Sequence, residues 1–339
     1  MNGNHIDMSI SSTFKGKTIL ITGGTGTIGI GIASVLLKYD PASIRLMTND
    51  ENSLDCAHQI FADNPRMRFL LGDIRDRKRL MMAMTDVDIV FHAAALKHVY
   101  ICEYNPFEAV QTNIDGIVNL VDAALANGVQ KVIFTSSDKA VNPSNMMGAS
   151  KLLGEKLVTA ANFHKGKHKT VFSSVRFGNV LGSRGSVIPL FKSQIDAGGP
   201  ITITDGDMTR FVISLDQAVN LVFKATECSV GGETFVLKMD AIRVKDLVTA
   251  MGGNGIKTKI IGPKPGEKMY EELMTEEEMS RARDLGDMFA ILPGQQKFRN
   301  FDYSKYDRYP RVKKVYTSHA QKALPPKEIK ALLEREGIA

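Results

Sequence analysis

The sequence predicts an α/β protein with a doubly wound parallel sheet and a smaller C-terminal substrate-binding domain. Short runs rich in β-branched residues alternate with helical patterns from residue 15 to residue 180, which is typical of a parallel sheet covered by helices on both faces. A glycine-rich turn follows the first run. The 339 residues suffice for about two domains, and 43% hydrophobic with 24% charged residues is a globular composition.

The first strand is TILIT at 18–22, which ends in glycines and precedes a helix whose apolar positions include Ile28, Ile32, Val35 and Leu36. The next predicted elements, in order, are strands SIRLMTN (43–49), MRFLLGD (67–73) and VDIVFHAAA (87–95), a helix around 108–126, strand KVIFTSS (131–137), a helix with GASKLLGEKLVTAA (148–161) and strand TVFSSVRFGNV (170–180).

The alternation stops after Val180, where glycine and serine punctuate residues 182–186. A helix from Leu215 and the run ETFVLKM at 233–239 return once to the sheet. We therefore predict a sheet domain that comprises residues 15–180 and about 213–242, and a second domain that comprises residues 181–212 and 243–339.

The net charge of +6 is concentrated in one segment. Residues 295–316 carry two acids, Asp302 and Asp307, and these basic residues: Lys297, Arg299, Lys305, Arg308, Arg311, Lys313 and Lys314. The rest of the chain is close to neutral. The sequence therefore predicts a solvated basic tail that wraps an acidic neighbour and no nucleic-acid partner.

Three cysteines without partner spacing predict neither a disulfide framework nor a metal site. Residues 1–16 lack the basic start and apolar run of a signal peptide. The uncharged stretch 18–37 is half Gly, Thr or Ser, which argues against a membrane helix. We predict a cytoplasmic protein without membrane insertion.

The turn after the first strand, ITGGTGTIG, carries Gly23, Gly26 and Gly29. Glycines at this spacing let the backbone turn tightly and approach a pyrophosphate at a helix N-terminus, as in the Rossmann dinucleotide-binding fold. The predicted cofactor cradle consists of the three glycines with Thr25, Thr27 and Ile28.

Asp50 stands about 20 residues beyond the last glycine, where an acid contacts the adenosine ribose. A 2′-phosphate would need a nearby cation, but the stretch 46–65 contains neither Arg nor Lys. The sequence therefore favours NAD over NADP. Asp73 and Ile74 follow the third strand and suit the adenine edge, although Asp73 fits an exposed turn equally well.

Two strand ends carry the remaining candidates. The run AAALKH offers Ala93, Ala94 and Ala95, over which a flat ring can lie, with Lys97 and His98 at the rim. Ligands in doubly wound sheets bind at the carboxyl ends of the strands.

The fifth strand ends in Ser137, Asp138 and Lys139, and Lys151 follows on the next helix. An acid beside an amine can be an ordinary solvated pair, and an isolated helical lysine usually faces solvent. On that helix face, however, Lys151 would meet a nicotinamide ribose.

Eight motifs together resemble a known family: ITGGTGTIG, GDIRD, HAAALKHV, TSSDKAVNP, GASK, RFGNVLGSRGSVIP, MTRF and PGEK. Their order is similar to that in extended short-chain dehydrogenase/reductases, and within these to the UDP-N-acetylglucosamine 4,6-dehydratases of flagellin, capsule and O-antigen glycosylation. The resemblance covers about residues 17–319 and is closest to the short soluble branch. It implies NAD as cofactor, a UDP-sugar substrate and a homo-oligomer.

The implied reaction oxidises sugar carbon 4, removes water across carbons 5 and 6, and returns the hydride to carbon 6. The resemblance assigns Asp138 as the acid for the departing hydroxyl and Lys139 as the carbon 5 base. A lysine base needs a lowered pKa, and Lys97 is the candidate source of the positive field.

One position departs from the superfamily pattern, in which a tyrosine precedes the helical lysine by four residues. Met147 stands there, and a thioether neither donates nor accepts a proton in catalysis. The first deprotonation therefore falls to Asp138, Lys139 or a water held by Ser137.

The resemblance also implies a nucleotide-sugar site. Asn179, Arg184, Ser186 and Arg210 are assigned to the diphosphate and its surroundings, and Glu267 to the uridine ribose. Lys97 and His98 are expected nearby. Lys264 replaces a usual arginine, which keeps the charge but loses the guanidinium fork.

Two rival functions remain open at this point. A UDP-sugar epimerase would use the same oxidation without loss of water. A non-catalytic NAD-binding regulator would retain the cofactor without turnover; Met147 favours it slightly, whereas the Ser137, Asp138, Lys139 and Lys151 set argues against it.

Overall fold

A computed structural model of the chain describes residues 8–252, 255–294 and 301–338. Its strands are β1 (Thr18–Thr22), β2 (Ser43–Thr48), β3 (Met67–Leu71), β4 (Ile89–His92), β5 (Lys131–Ser137), β6 (Val171–Phe177), β7 (Asn179–Val180), β8 (Ile201–Ile203), β9 (Thr209–Ile213), β10 (Thr234–Leu237), β11 (Asp240–Arg243), β12 (Thr258–Ile260), β13 (Ala282–Asp284) and β14 (Met288–Ile291).

The α-helices of the described residues connect these strands. They are α1 (Met8–Phe14), α2 (Thr27–Leu36), α3 (Glu51–Ile60), α4 (Arg77–Ala83), α5 (Val99–Tyr104), α6 (Pro106–Val110), α7 (Gly116–Ala126), α8 (Met146–His164), α9 (Val187–Asp196), α10 (Leu215–Cys228), α11 (Val244–Gly252), α12 (Glu276–Ser280) and α13 (Pro326–Arg335). The predicted helix around 108–126 is α6 and α7 joined by a π-helical turn.

The central sheet confirms the predicted mostly parallel α/β architecture. Its strand order is β3-β2-β1-β4-β5-β6-β10-β14-β13. Neighbouring strands from β3 to β10 run parallel. From β1 the chain continues to β2 and β3 on one side, and from β4 it continues to β5 and β6 on the other. The carboxyl ends of β1 and β4 therefore flank the crevice in which such sheets bind ligands.

Both faces of this sheet are buried, and the side chains of each strand alternate between them. Ile19 and Ile21 of β1 belong to one buried cluster with Phe91 and Phe223. Leu20 points to the opposite face and joins a second cluster. Successive residues of a strand point to opposite faces, so each apolar run supplies two cores.

Three segments lie elsewhere than the domain prediction expected. The predicted strand 170–180 breaks at Gly178, after which β7 joins β9 and β11 in a separate three-stranded sheet. Residues 240–242, expected in the sheet domain, belong to β11 of this smaller sheet. The hairpin β13–β14, expected in the second domain, extends the central sheet antiparallel to β10.

The basic segment is solvated only in part, which corrects the prediction of a solvated tail. Lys297 and Arg299 lie outside the described residues. Lys305 and Arg308 are exposed, whereas Tyr303 and Tyr306 are buried in the main core.

Among the helices of the described residues, none combines the length and apolar character needed to cross a membrane.

Candidate active site

A cleft of about 1470 Å³ opens at the carboxyl ends of β1, β4 and β5. It is larger than the roughly 300–1,000 Å³ of a typical small-molecule site. Every residue that the sequence predicted for cofactor or substrate binding lines this cleft, as do Ser137, Lys139 and Met147. Asp138 is not among its lining residues and is completely buried.

The glycine turn is built by close backbone approaches. Gly23 has φ 65°, and a Cβ there would lie 2.6 Å from the backbone nitrogen of Ala94. A Cβ on Gly29 would lie 2.6 Å from the carbonyl oxygens of Gly23 and Gly24. Helix α2 begins behind this turn without a side-chain cap, so its first N–H groups are suited to a diphosphate.

The ends of β2 and β3 place two acids on the cleft. Asp50 caps helix α3, where its Oδ1 accepts a hydrogen bond from the backbone of Asn52 at 3.1 Å. Asp73 accepts from Arg75 Nη2 at 2.7 Å, and this hydrogen bond lowers the pKa of Asp73. Arg75 lies beyond the stretch 46–65 and also pairs with Glu108. Hydrogen bonds therefore fix the position of both carboxyl groups at this end of the cleft.

Lys151 lies one turn along α8 from Met147, and both side chains are buried. Its ammonium donates to the carbonyl oxygen of Thr135 at 2.9 Å and lies 4.7 Å from the ring centroid of Phe134. Burial lowers the pKa of Lys151 to about 8. The alternative interpretation, in which Lys151 is an ordinary solvent-facing lysine of a helix, is therefore wrong.

The end of β5 brings three polar groups together. Asp138 Oδ1 accepts hydrogen bonds from Ser137 Oγ at 2.7 Å and Lys139 Nζ at 3.0 Å. Lys139 Nζ also donates to Asn179 Oδ1 at 3.3 Å. Ser137 and Lys139 face the cleft, so they connect the buried Asp138 carboxylate to it.

Glu271 is a residue of this site that the sequence analysis missed. It lines the cleft, is 3% exposed, and its Oε1 lies 3.7 Å from Lys139 Nζ and 3.9 Å from Arg210 Nε. The motif PGEK lies just before it, but nothing in the sequence separates Glu271 from the adjacent Glu272. Only the fold brings it to Lys139.

Glu271 changes the electrostatics expected for Lys139. Burial lowers the pKa of Lys139, but the charges of Asp138 and Glu271 outweigh burial and raise that pKa. The expectation that the pKa of Lys139 is lowered is therefore wrong. Lys97, whose Nζ donates to the Arg184 carbonyl at 2.7 Å, is not among the charges that act on Lys139; the cation that lowers the pKa of Lys139 is Arg210.

The loop after β7 crosses to the glycine turn. The Arg184 guanidinium donates to the carbonyl oxygen of Thr25, and its backbone N–H donates to Thr27 Oγ1 at 3.4 Å. The ring of His98 packs against Gly185 of the same loop. The structure therefore places Arg184 over the predicted cofactor cradle, at its border with the expected nucleotide-sugar site.

The other expected substrate residues lie further along the cleft. Ser186 precedes the first turn of α9, and its buried Oγ has no hydrogen-bond partner among the described residues. Glu267 accepts from the backbone of Lys264 at 3.1 Å. The PGEK turn docks on the start of α8, since Gly266 accepts from Asn145 Nδ2 at 2.9 Å.

The sequence model of the family described as "Polysaccharide biosynthesis protein" matches residues 19–293. The Uncharacterized membrane protein MJ1061 of Methanocaldococcus jannaschii is 48% identical over 96% of this chain and 97% of its own length. A UDP-N-acetylglucosamine 4,6-dehydratase (inverting) of Campylobacter jejuni is 45% identical over 83% of this chain and 84% of its own.

Another relative of similar sequence identity is named for a different activity. A UDP-glucose 4-epimerase of Rickettsia bellii is 44% identical over 94% of this chain and 96% of its own. Among solved structures, Pen from Bacillus thuringiensis superimposes with a TM-score of 0.90 and 46% identity, covering 96% of this chain and 99% of that one.

Proposed function

Because this chain belongs to the polysaccharide biosynthesis protein family of extended short-chain dehydrogenase/reductases, which includes nucleotide-sugar dehydratases and epimerases, we propose that it is an NAD-dependent 4,6-dehydratase of a UDP-N-acetylhexosamine, UDP-N-acetylglucosamine above all. The product is a UDP-4-keto-6-deoxy sugar for a surface polysaccharide or a glycoprotein glycan. The observation that carries the proposal is the Ser137–Asp138–Lys139 cluster on the cleft beside the glycine turn.

The residues of the cleft fit a dinucleotide at one end. A Cβ at Gly23 or Gly29 would fill the cradle, and the free N–H groups of α2 suit its diphosphate. Asp50 suits the adenosine ribose, and the buried Lys151 suits the nicotinamide ribose. When bound, the nicotinamide supplies hydride acceptance from sugar carbon 4 and hydride return to carbon 6.

The dehydration needs a proton on the departing hydroxyl, and the chain offers a relay for it. Ser137 Oγ lies on the cleft and hydrogen-bonds to Asp138 at 2.7 Å. In our assignment the Ser137 hydroxyl takes the proton of the 4-hydroxyl and passes its own to Asp138. Asp138 later returns a proton through Ser137 to the hydroxyl that leaves carbon 6. One relay thereby serves both steps, so the tyrosine replaced by Met147 is not needed.

Removal of the carbon 5 proton is assigned to Lys139, as the family resemblance implies. Its three N–H directions face Asp138, Asn179 and Glu271. Since its pKa is raised, Lys139 must first lose a proton before it can act as a base.

The nucleotide-sugar is assigned to the other end of the cleft. The unpartnered Ser186 hydroxyl and the N-terminus of α9 suit a diphosphate. Arg210 adds a guanidinium, and Glu267 suits ribose hydroxyls.

Proton NMR of the protein with UDP-N-acetylglucosamine and NAD in deuterated buffer tests the proposal. We expect a new 6-methyl signal with deuterium at carbon 5, and the coupling constants of the product report inversion or retention there. A product with inverted carbon 4 and an intact 6-hydroxymethyl group would replace dehydration by epimerisation, the activity named for the Rickettsia relative. An unchanged spectrum with a panel of UDP-sugars, while NAD stays bound, would favour a non-catalytic role.

A further inference from the structure

A second buried carboxylate, that of Glu271, lies beside the Lys139 ammonium in addition to Asp138. Glu271 Oε1 lies 3.7 Å from Lys139 Nζ, whereas Asp138 Oδ1 lies 3.0 Å from it. The other oxygen of each carboxylate, Oε2 of Glu271 and Oδ2 of Asp138, is buried without a hydrogen-bond partner among the described residues. Each carboxylate therefore has an unused site that can hold a proton.

The position of Glu271 is fixed by the backbone. Its N–H donates to Ser318 Oγ at 2.9 Å, and its carbonyl oxygen accepts from the Ser318 N–H at 2.8 Å. Ser318 Oγ in turn donates to the Thr209 carbonyl oxygen at 3.2 Å. Glu271 is thereby held on the wall of the cleft next to β9, whose Arg210 lies 3.9 Å from the same carboxylate oxygen.

We propose that Glu271 is a positioning residue that acts through Lys139: it takes one proton from the ammonium and so converts Lys139 into the carbon 5 base. This inference rests on the proposed dehydratase function. The transfer gives a neutral amine and a neutral carboxylic acid. The amine then takes the carbon 5 proton, and the electron pair of that bond expels the carbon 6 hydroxyl, which leaves as water with the proton from Asp138. Once the hydride has returned to carbon 6 and Lys139 has reprotonated carbon 5, Glu271 returns its proton to the amine.

The surroundings of Glu271 make its carboxylate a better proton acceptor. Burial and the charge of Asp138 raise the pKa of Glu271, and they outweigh Lys139, Arg210 and Lys268, which act in the opposite direction. Moving the proton from Lys139 to Glu271 also removes two buried charges, which offsets part of the cost of taking a proton from Lys139, whose pKa is raised. Asp138 cannot play this part while it holds the proton for the departing hydroxyl.

The experiment compares Glu271→Gln with the wild-type enzyme in deuterated buffer. Glutamine keeps the size of the side chain but cannot accept the proton. We expect kcat for the 6-methyl product to fall about 100-fold, the size typical of a lost acid–base step, with KM changed little. Oxidation at carbon 4 persists in the variant, so mixing with substrate raises the absorbance of reduced nicotinamide while carbon 5 takes up no deuterium.

The neighbouring Glu272 provides a matched control. Its carboxylate accepts from Asn142 Nδ2 at 2.9 Å and does not line the cleft, so Glu272→Gln should retain wild-type kcat and deuterium uptake. Glu271→Asp, which keeps the carboxylate, should restore part of the lost rate. If the glutamine variant does not fold, the aspartate variant still tests the role, because its shorter side chain withdraws the carboxylate from Lys139: kcat should fall below that of the wild type while the nicotinamide is still reduced, and a wild-type kcat would refute the role.

The outcomes separate this inference from the function itself. A wild-type enzyme that makes no 6-methyl sugar refutes the dehydratase. A wild-type enzyme that makes it, beside a Glu271→Gln variant with near wild-type kcat and deuterium uptake, refutes the role of Glu271 alone. A folded glutamine variant that also fails to reduce the nicotinamide refutes it too, because the exchange acts only after carbon 4 is oxidised.

Discussion

Met147 occupies the position at which the family resemblance implies a proton-transferring tyrosine, and its side chain lies in the wall of the cleft. It is 4% exposed and packs in a small cluster with Cys102 and Ala109. The thioether cannot transfer a proton. Its contribution is therefore shape, which another unbranched or γ-branched apolar side chain of similar volume can supply.

We predict that Met147→Leu keeps most of the wild-type kcat, because the thioether transfers no proton and an exchange that conserves volume usually costs less than about 1.5 kcal/mol of stability. The measurement is the rate of 6-methyl product formation. Ser137→Ala serves as the comparison and should lose most of the activity, since it interrupts the link from Asp138 to the cleft. Complete inactivity of a folded Met147→Leu enzyme would assign the sulfur a chemical role.

Lys151 gives the activity a pH dependence. Burial lowers its pKa from 10.5 to about 8, so the ammonium is present below this pH and is lost as pH rises through it. If the charged form holds the nicotinamide ribose, kcat/KM falls above about pH 8. Since arginine stays charged throughout this range, Lys151→Arg should move the fall to higher pH. An identical alkaline limb in both proteins would mean that another group titrates there.

The sequence identified most of the candidate site because its residues follow strand ends. Ser137, Lys139 and Ala94 come directly after apolar runs, and parallel strands end at the same edge of a sheet. The sequence analysis missed Glu271 because it belongs to no periodic element, and its neighbour Lys139 lies more than a hundred residues away in the chain. The raised pKa of Lys139 could not be predicted from the sequence for the same reason.

At the level of elements, helix α8 and the turn after β5 fit together through one glycine. A Cβ on Gly148 would lie well inside van der Waals contact with the Lys139 carbonyl oxygen. Asn145 caps this helix by accepting from the Gly148 N–H at 2.8 Å. The helix that carries Lys151 therefore sets the position of the turn that carries Lys139.

We predict that Gly148→Ala lowers kcat about 100-fold, because displacements of about 1 Å in a catalytic group can cost this much. Gly154→Ala in the same helix is the control. Its new methyl group would meet side-chain atoms of Ile117 and Phe134 rather than backbone, so its effect should fall mainly on stability. Steady-state rates and thermal unfolding of both variants check this; equal rates would refute the coupling of helix and turn.

The parallel strands were predictable because each is a short apolar run between turn residues. The hairpin β13–β14 was not, since the three residues Ala282–Asp284 show no periodic pattern and join the sheet by pairing with β14, which itself pairs with β10. Gly178 likewise carries no signal that the chain changes sheets there. A Cβ on it would meet Phe211 at 2.7 Å, a contact that exists only after folding.

At the scale of the whole molecule, the segment after residue 300 is bound to the turn that precedes β10. Tyr303 donates to the Gly231 carbonyl oxygen at 2.6 Å, and Tyr306 donates to Glu233 Oε1 at 3.0 Å. Glu233 is 1% exposed and also accepts from Ser173 Oγ at 2.9 Å. Among the described contacts, a tyrosine hydroxyl rather than a basic side chain of this segment reaches Glu233.

This arrangement predicts that Tyr306→Phe destabilises the protein without impairing chemistry. Removing one donor from a buried carboxylate costs about 1–3 kcal/mol, which should lower the thermal unfolding midpoint by a few degrees. Glu233 and Tyr306 do not line the cleft, so kcat at 25 °C should stay within about twofold of wild type. Tyr309→Phe is the control, because its hydroxyl accepts only from the exposed Arg308 at 2.9 Å among the contacts described. An unchanged midpoint for Tyr306→Phe would mean that the segment is bound by its apolar contacts alone, and a large loss of kcat would mean that it also shapes the active site.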